Sequence, residues 1–437
     1  MLKKLYEVFE KHPQVVTDSR KVTPGCLFFA LKGTNFDGNE FAEQALAEGA
    51  AFAVIDNPAY RKDKRTILVA DVLESLQSLA IQYRKTFDIP VIGITGSNGK
   101  TTTKELVAAV MGAKYRTHYT QGNLNNHIGV PLTILAMARN TEIAIIEMGA
   151  NHEGEIDLLC QIAQPTHGLI TNIGKAHLEG FGGIEGVKRG KGELYRYLAE
   201  CGGTVFVNRD EAHLAGLLST DLVQIGYRKK EHPSLLDVDY EARLIREQPY
   251  LRIGFINGSG EMLETETKLV GAYNFGNLLA AIAVGKYFKV RSADIKRALE
   301  SYVPSNNRSQ LMMYRGATVV MDAYNANPSS MREALTSFRK MPFEYKIAII
   351  GDMRELGPES EKEHRDIYAY AESLSLDALV TVGTEFGKVS NAESVHFANT
   401  DELKGWLNSK INSLDSIKKI GILIKGSRGM QLEKVLA

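Results

Sequence analysis

The sequence predicts an α/β protein of three domains, and three observations support that fold class. Short apolar runs alternate with helix-like segments through most of the chain, a pattern typical of parallel sheets covered by helices. The chain has 437 residues, and ordinary domains have about 150. Polar residues follow the apolar runs, at the strand ends where parallel sheets bind ligands. We expect a small N-terminal α/β domain at 1–85, a central parallel-sheet domain of the P-loop type at 86–302 and a C-terminal Rossmann-like α/β domain at 303–437.

The composition excludes several classes of partner. Hydrophobic residues make up 44% and charged residues 24%, as in ordinary globular proteins, and 52 basic side chains balance 52 acidic ones. Without a basic stripe, no nucleic-acid partner is expected. The three cysteines, Cys26, Cys160 and Cys201, are far apart, which indicates a reducing compartment. No apolar run reaches the ~18 residues of a membrane span, so we expect a cytoplasmic protein without membrane insertion. We also expect a monomer, since nothing in the sequence demands a larger assembly.

The N-terminal domain is predicted from a helix, LKKLYEVFEK, followed by strands at Cys26–Leu31 and Ala51–Ile55. A helix at Gly38–Glu48 lies between the strands, and an amphipathic helix at Leu73–Tyr83 follows them. Two loops of this domain carry hydroxyl, guanidinium, amide and carboxylate groups beside turns. They are either ordinary turn and cap chemistry or part of a second ligand pocket. The candidate residues are Ser19, Arg20, Asn35 and Asp37.

The central domain opens with the stretch VIGITGSNGKTTTKE. It predicts a buried strand at Val91–Ile94, a tight turn and a helix from Thr101 to Met111, which is the arrangement that binds the phosphates of a nucleoside triphosphate. Lys100 would reach the outer phosphates, and the Thr101 hydroxyl would ligate magnesium. Ile94 stands where the usual P-loop has its first glycine. The predicted phosphate-binding residues are Gly96, Ser97, Asn98, Gly99, Lys100, Thr101 and Thr102.

Amide side chains are concentrated in two further stretches. One is the loop TQGNLNNHIGVP, with Asn123, Asn125 and Asn126, which is either a capped surface loop or a set of hydrogen-bond donors to a ligand. The other is the start of a small-residue helix, with Asn274 and Asn277. These two are either helix caps or contacts to the edge of a nucleotide base.

Polar groups also follow the core strands of the central domain. Glu147 ends a strand at Ile143–Ile146, and His177 follows a strand at Leu169–Thr171, so both are expected at one ligand-binding edge. Lys191 lies in a basic stretch that enters a helix, and composition alone favours a solvated face for it. The charged region from Lys229 to Glu266 is interpreted as β-hairpins on the edge of the domain.

The C-terminal domain begins after a boundary at Ser301–Ser305. Its predicted core strands are followed by polar residues, which again indicates a ligand-binding edge. The strands are Thr318–Met321, Lys346–Ile350, Ala378–Val382 and Ile420–Ile424, and the polar stretches after three of them are DAYNANPSSM, GDMRELG and KGSRGM.

Taken together, these stretches resemble the Mur ligases, the ATP-dependent amide ligases that build the peptide of bacterial cell-wall precursors. The resemblance covers essentially the whole chain. Within the family, EMGANHEGEI, DAYNANPSSM and GDMRELG are similar to the member that adds D-alanyl-D-alanine to UDP-N-acetylmuramoyl-tripeptide. The central signature is TGSNGKTTTKE, followed in matching order by Glu147, His177, Asn274, Asn277, Arg308 and Asp322.

The resemblance implies that ATP phosphorylates the terminal carboxylate of the UDP-linked tripeptide. The amine of D-alanyl-D-alanine would then attack the acyl phosphate to give the UDP-linked pentapeptide precursor of peptidoglycan. One Mg²⁺ would lie on Thr101, and a second, held by Glu147 and His177, would bridge the γ-phosphate and the carboxylate. Lys191 matches the place of a carbamylated lysine, an anion suited to this cluster. The catalytic residues implied are Lys100, Glu147, His177 and Lys191.

Further roles are carried over from the resemblance. Asn274 and Asn277 would contact adenine, Arg308 the phosphates, and Asp322 with Asn325 the ribose and phosphate. The uridine nucleotide would be held by Ser19, Arg20, Asn35 and Asp37, and the substrate channel would be lined by Asn123, Asn125 and Asn126. Dipeptide recognition or closure of the site would fall to Asp352, Glu355, Lys425 and Arg428.

Three alternative functions remain open at this point. Two lie within the superfamily: the ligase that adds the third residue, and a folylpolyglutamate synthase. The third is a nucleotide-binding scaffold without chemistry. Retention of Lys100, Glu147, His177 and Lys191 argues against a scaffold, because a passive binder needs no second metal site.

Overall fold

The computed structural model describes residues 2–230, 238–305, 307–391, 394–414 and 419–437. Three sheets, of four, nine and six strands, follow one another along the chain, and a two-stranded hairpin accompanies the first. Parallel strands dominate all three large sheets, with helices between successive strands. The predicted α/β class with three domains is therefore confirmed.

The first sheet has the strand order β1-β2-β5-β6, and all its neighbours are parallel. The strand predicted at Cys26–Leu31 is shorter in the structure, where β2 spans Leu27–Phe29. Its neighbour β1 pairs with it over two residues. The helix predicted at Gly38–Glu48 begins as a 3₁₀ turn, since the Asp37 carboxylate accepts a hydrogen bond of 2.9 Å from the backbone N–H of Asn39. The elements are α1 (Leu2–Lys11), β1 (Val15–Val16), β2 (Leu27–Phe29), β3 (Lys32–Gly33), β4 (Phe36–Asp37), α2 (Ala42–Ala47), β5 (Phe52–Ile55), β6 (Thr66–Leu68) and α3 (Val72–Arg84).

The second sheet has nine strands in the order β15-β14-β13-β12-β11-β10-β7-β9-β8. The strands from β8 to β13 are parallel, and β13, β14 and β15 form antiparallel hairpins at one edge. The elements are β7 (Val91–Thr95), α4 (Lys100–Gly112), β8 (Thr117–Tyr119), α5 (Gly129–Leu135), β9 (Ile143–Glu147), α6 (Glu155–Ala163), β10 (His167–Ile170), α7 (Leu178–Phe181), α8 (Ile184–Glu200), β11 (Thr204–Asn208), α9 (Ala212–Ala215), β12 (Val223–Lys229), β13 (Tyr240–Arg246), β14 (Arg252–Ile256), β15 (Met262–Glu266), α10 (Phe275–Tyr287) and α11 (Ser292–Ser301).

The hairpins predicted between Lys229 and Glu266 are confirmed within the described residues, and 231–237 of that range lie outside them. In the middle of the sheet, β7 lies between β9 and β10. The carboxyl ends of these three strands therefore meet at one edge. That edge brings together the turn after β7, Glu147 at the end of β9 and the loop after β10 that leads to His177.

The third sheet has the order β16-β17-β21-β18-β19-β20 and is parallel except for β16. The predicted core strands are parallel, and β16, a strand that was not predicted, adds an antiparallel hairpin with β17 at one edge. The elements are β16 (Gln310–Tyr314), β17 (Ala317–Asp322), α12 (Pro328–Arg339), β18 (Tyr345–Gly351), α13 (Ser360–Ser373), β19 (Ala378–Val382), α14 (Thr384–Val389), β20 (Val395–Phe397), α15 (Thr400–Asn412) and β21 (Ile420–Lys425).

Each large sheet has a buried apolar core, and α10 is buried along nearly its whole length between sheet and helix α4. In the part of the chain that the structure describes, no helix combines the length and the apolar character needed to cross a bilayer.

Candidate active site

The turn between β7 and α4 is fixed by close packing. Gly96 has a φ of 139° and Gly99 a φ of 77°, a region that L side chains rarely adopt. A Cβ at Gly96 would collide with the Thr171 hydroxyl, and one at Gly99 with the Asn277 amide. The backbone N–H of Asn98 donates to Asn172 over 2.9 Å. The structure therefore has the predicted strand, glycine turn and helix start. The turn packs against the residues that follow the neighbouring strand β10.

Lys100 begins helix α4 and folds back onto this turn. Its Nζ donates to the carbonyl oxygens of Gly96 at 2.7 Å and Ser97 at 3.1 Å. Burial lowers the pKa of Lys100, and the charge of Glu147 opposes that shift. The ammonium thus stands at the mouth of the turn, where phosphate oxygens can replace the two carbonyl groups as its partners.

Glu147 is buried beside the phosphate turn. Its Oε1 accepts hydrogen bonds from the Thr101 hydroxyl at 3.0 Å and from Asn125 Nδ2 at 2.8 Å. Its Oε2 lies 3.8 Å from Lys104 Nζ and has no hydrogen-bond partner in the described chain. A buried carboxylate oxygen without a partner is costly unless a cation or water meets it. Hydroxyl and carboxylate oxygens are also the ligands that Mg²⁺ prefers, so this pair fits a magnesium site.

His177 lies across the same edge with a left-handed backbone, at a φ of 53°. Its Nδ1 is 2.5 Å from Oε2 of Glu355, which belongs to the third sheet's part of the chain. This contact lowers the pKa of Glu355. Within the described residues, no group of three or more His, Cys, Asp or Glu side chains is arranged to hold a metal. Thr101 and Glu147 are therefore already in contact, whereas His177 is engaged with Glu355.

Lys191 is fully buried, which corrects the solvated face that composition favours. Its Nζ donates to the carbonyl oxygen of Ala150 over 2.8 Å and lies 4.9 Å from the centroid of the Phe181 ring. Burial, with the charge of Lys100, lowers the pKa of Lys191 well below its usual value. The side chain is consequently biased towards the neutral amine, the form that reacts with carbon dioxide.

Residues of the C-terminal part face the phosphate turn across a cavity of about 570 Å³. Arg308 stacks on Tyr324, with its guanidinium carbon 3.6 Å from the ring centroid, and Asp322 pairs with Lys425 at 2.6 Å. The predicted residues that line this cavity are Ser97, Asn98, Gly99, Lys100, Thr101, Thr102, Asn125, Asn126, Glu147, His177, Asn274, Asn277, Arg308, Asp322, Asn325 and Lys425.

Asn274 and Asn277 form a small amide network beside the turn. Asn277 Nδ2 donates to Asn274 Oδ1 at 2.9 Å, and Thr103 donates to Asn277 Oδ1 at 3.0 Å. Asn274 Nδ2 donates to the carbonyl oxygen of Val270 at 2.7 Å. Asn277 also borders a second cavity of about 210 Å³ that adjoins the first. The network therefore ties the start of α10 to the phosphate turn at the edge of that smaller cavity.

Several predicted residues lie away from the central cavity. Arg20 is paired with Asp18 at 2.9 Å, and Asp37 caps the turn that follows it. Arg428 is paired with Glu433 at 2.7 Å. The predicted residues that do not line the central cavity are Ser19, Arg20, Asn35, Asp37, Gly96, Asn123, Lys191, Asp352, Glu355 and Arg428.

Asp352 and Glu355 line a third cavity, of about 540 Å³, at the carboxyl ends of β18 and β19. Arg354 lies between them on the same wall. The Asp352 carboxylate accepts hydrogen bonds from the backbone N–H groups of Glu385 at 3.0 Å and Phe386 at 2.9 Å, so it also caps α14. Glu355 belongs to this cavity and to the contact with His177, and therefore joins it to the central edge.

Sequence reasoning missed some cavity residues. Tyr273 and Ser309 share a hydrogen bond of 2.7 Å and line the central cavity, as does Asn327. Asn327 precedes a proline in NPSS, a signal of a helix start that could have identified it as a cap. Tyr324 follows Asp322 closely, but nothing in the sequence indicates its stacking with Arg308.

Comparison with known proteins gives one family-model match for each of the three large sheets. Family models match residues 13–86 ("Mur ligase family, catalytic domain"), 94–285 ("Mur ligase middle domain") and 307–416 ("Mur ligase, glutamate ligase domain"). The UDP-N-acetylmuramoyl-tripeptide--D-alanyl-D-alanine ligase of Bacillus subtilis is 36% identical over 97% of this chain and 92% of its own length.

Two solved structures extend the likeness to the fold. A crystal structure of MurF from Acinetobacter baumannii has a TM-score of 0.88 at 29% identity and covers 100% of this chain and 97% of its own. The MurF ligase from Thermotoga maritima in complex with ADP has a TM-score of 0.83 at 26% identity, with 97% and 96% covered.

Proposed function

This chain belongs to the Mur ligase family, and we propose that its central cavity ligates D-alanyl-D-alanine to UDP-N-acetylmuramoyl-tripeptide. The prediction of an ATP-dependent peptide ligase of the MurF type agrees with the relatives and structures above. The reaction uses ATP and gives the UDP-linked pentapeptide precursor of peptidoglycan. Of the predicted domains, 1–85 would bind the UDP-linked substrate, 86–302 would bind ATP, and 303–437 would complete the site.

One observation carries the proposal. The phosphate turn lines the same cavity as Arg308, which precedes β16, and Asp322 and Lys425, which end β17 and β21, although these groups come from two different sheets. A ligase that activates a carboxylate must align a triphosphate with it and neutralise charge on the transferred phosphoryl group. A cavity with cationic side chains on both walls supports that chemistry. Because a single chain supplies both walls, we propose that the active form is a monomer.

Each step of the reaction requires something of these side chains. The tripeptide carboxylate attacks the γ-phosphorus, and ADP leaves; the dipeptide amine then attacks the acyl carbon, and phosphate leaves. Lys100 would bind the outer phosphates, while Thr101 and Glu147 would hold magnesium together with His177. When bound, magnesium supplies a Lewis acid that neutralises phosphate charge. The dipeptide amine, with an ordinary pKa of about 7.7–8.0, loses its proton readily near neutral pH.

Carbamylation of Lys191 is part of the proposal. The neutral amine adds to carbon dioxide and releases one proton, which leaves an N-carboxylate in place of a cation. The depressed pKa of Lys191 supports this because only the neutral form is nucleophilic. An anion there would also be attracted by Lys100, whose charge repels the unmodified ammonium. We therefore assign Lys191, as its carbamate, to the metal cluster.

The nucleotide would lie between the two walls of the central cavity. The smaller cavity beside Asn277 has room for a flat base, with Asn274 behind it in the amide network. Arg308 would contact the phosphates, and Asp322 with Asn325 the ribose and phosphate. Ser97, Asn98 and Thr102 line the central cavity and would lie between the base and the phosphates.

The two acceptor substrates would approach from opposite sides. Asn125 and Asn126 line the central cavity, and Asn123 belongs to the same loop, which supports a channel for the UDP-linked peptide. Its uridine end would be held by Ser19, Arg20, Asn35 and Asp37. The dipeptide would occupy the third cavity, with Asp352 and Glu355 on its wall and Lys425 on the ATP side. Arg428 would contribute to dipeptide recognition or closure of the site.

The test is phosphate release from ATP and Mg²⁺ with UDP-N-acetylmuramoyl-tripeptide, with and without D-alanyl-D-alanine, while mass spectrometry follows the product. Dipeptide-dependent release with a UDP-pentapeptide product is the expected result. Release that requires a single amino acid or a folate would support the alternative ligases instead. Absence of turnover with every acceptor would support the non-catalytic scaffold.

A further inference from the structure

The contact between His177 and Glu355 joins two sheets. His177 follows β10 of the nine-stranded sheet, and Glu355 follows β18 of the six-stranded one. Nδ1 of the imidazole lies 2.5 Å from Oε2 of the carboxylate, although the two groups are not aligned as a hydrogen bond in the described chain. The histidine side chain is 17% exposed and the glutamate side chain 50%. The imidazole is therefore largely shielded from solvent, whereas the carboxylate is exposed.

The backbones on both sides of the contact support the same arrangement. His177 and Glu355 have φ values of 53° and 63°, in the left-handed region. The backbone N–H of Glu179 donates to the carbonyl oxygen of Glu355 over 3.4 Å, and Gly357 packs against the Glu179 side chain. Non-glycine residues rarely adopt this region and keep it only where the surrounding structure holds them there. Two facing turns, each held in this conformation, indicate that the contact has a functional role as well as a packing role.

We propose that Glu355 is a positioning residue for His177, so that the metal side of the central cavity is completed only when the third sheet is docked. The inference rests on the proposed function, since it takes His177 as a metal ligand. A carboxylate on one ring nitrogen orients a ligating histidine and raises the basicity of the other nitrogen. Here Nδ1 faces Glu355 and His177 lines the central cavity, so Nε2 is the ring nitrogen left for the metal.

The arrangement makes docking a condition of catalysis. Glu147 and Thr101 are in contact within the nine-stranded part alone, whereas His177 obtains its orienting carboxylate from the six-stranded part. A nucleotide bound before docking would therefore meet an incomplete cluster. Premature transfer of the phosphoryl group to water would be disfavoured in that state.

A second ion pair across the same interface provides a matched control. Lys175 Nζ lies 2.5 Å from Oε1 of Glu363, and this pair does not touch His177. Glu363→Gln thus removes one interface charge in the same way as Glu355→Gln, without removing the partner of the imidazole. The two variants separate loss of docking strength from loss of histidine orientation.

The experiment counts Mn²⁺ ions by electron paramagnetic resonance, with the non-hydrolysable analogue AMP-PNP present, in the full-length chain. Small-angle scattering on the same samples reports compaction. For Glu355→Gln we expect the ion that depends on His177 to bind roughly 10- to 100-fold more weakly. For Glu363→Gln we expect binding within twofold of the parent, with equal compaction in both variants.

Two further variants make the outcome decisive. His177→Ala identifies the ion concerned, and adding Glu355→Gln to it should cause no further loss, because the two residues act as one unit. Unchanged Mn²⁺ binding in Glu355→Gln would overturn the inference, as would equal weakening in Glu363→Gln. Unchanged binding in His177→Ala would instead overturn the metal role of His177 on which the inference rests.

Discussion

Asn327 Nδ2 donates a hydrogen bond of 2.7 Å to Asn98 Oδ1, and so joins the first residues of helix α12 to the phosphate turn. The same Asn327 caps α12, since its Oδ1 accepts from the backbone N–H of Ser330 at 2.9 Å. One buried side chain therefore fixes a helix start and a contact between two sheets.

The two tasks of Asn327 can be separated by substitution. Asn327→Asp keeps the cap oxygen but loses the donor to Asn98, so we expect KM for ATP to rise about fivefold, the equivalent of one hydrogen bond of ~1 kcal/mol. The melting temperature should stay close to that of the parent. Asn327→Ala loses both roles and should also lower the free energy of unfolding by about 1 kcal/mol. Steady-state kinetics and urea unfolding check both results; an unchanged KM in Asn327→Asp would contradict the argument.

Carbamylation of Lys191 predicts chemical rescue. Lys191→Ala should lose ligase activity by about 100-fold or more, and formate or acetate should restore part of it by supplying the missing anion. Lys188→Ala, one turn earlier on the same helix, serves as the control and should keep its activity. Phosphate release is the measurement. Full activity of Lys191→Ala without any rescue agent would remove Lys191 from the site.

Burial of Lys191 also predicts a dependence of stability on pH in buffer free of carbon dioxide. Its pKa is lowered well below 10.5 in the folded chain, so the unfolded chain binds more protons between the two values. The free energy of unfolding must therefore rise with pH in that window, and the cost of burying the lysine vanishes above 10.5.

Comparison with Lys191→Met isolates this effect. The methionine variant should be more stable than the parent near neutral pH, and the difference should shrink as the pH approaches 10.5. Urea unfolding at several pH values measures it, and Lys188→Met controls for the general effect of removing a lysine. A difference that stays constant with pH would show that Lys191 keeps an ordinary pKa.

Removal of the Glu193 carboxylate should lower the stability of the fold near the site. Its buried carboxylate accepts hydrogen bonds from the backbone N–H groups of Gly154 at 2.6 Å and Asp157 at 2.9 Å, at the start of α6. Glu193→Ala leaves both donors without their acceptor and should lower the free energy of unfolding by roughly 1–3 kcal/mol. Glu185→Ala, exposed on the same helix, should change it by less than about 0.5 kcal/mol. Equal effects of the two variants in urea unfolding would contradict this role.

Local signals in the sequence predicted the phosphate turn and the edge that surrounds it. The apolar runs at β7, β9 and β10 mark buried parallel strands, and the residues after such strands must meet at one edge. Short edge strands such as Thr117–Tyr119 and Gln310–Tyr314 were not predicted, because none of their residues is buried and no continuous apolar run marks them.

Contacts between distant parts of the chain could not be predicted. Asn98 and Asn327 are 229 positions apart, and their pairing depends on how two sheets dock rather than on any local pattern. The contact of His177 with Glu355 has the same origin. For Lys191, charge patterning favoured a solvated face and only the family resemblance indicated a site, because burial of a lysine requires tertiary contacts such as that with Ala150.

The return of Lys100 onto its own turn has a consequence for turnover. Its two hydrogen bonds to the carbonyl oxygens of Gly96 and Ser97 must break when phosphate oxygens arrive, and they can form again as products depart. Nucleotide binding at this lysine is an exchange of partners, so the net gain is smaller than the strength of the new contacts. A ligand must therefore carry enough negative charge to displace the two carbonyl oxygens from Lys100. After the reaction, the same carbonyl oxygens compete with ADP for Lys100 and so favour release of the product.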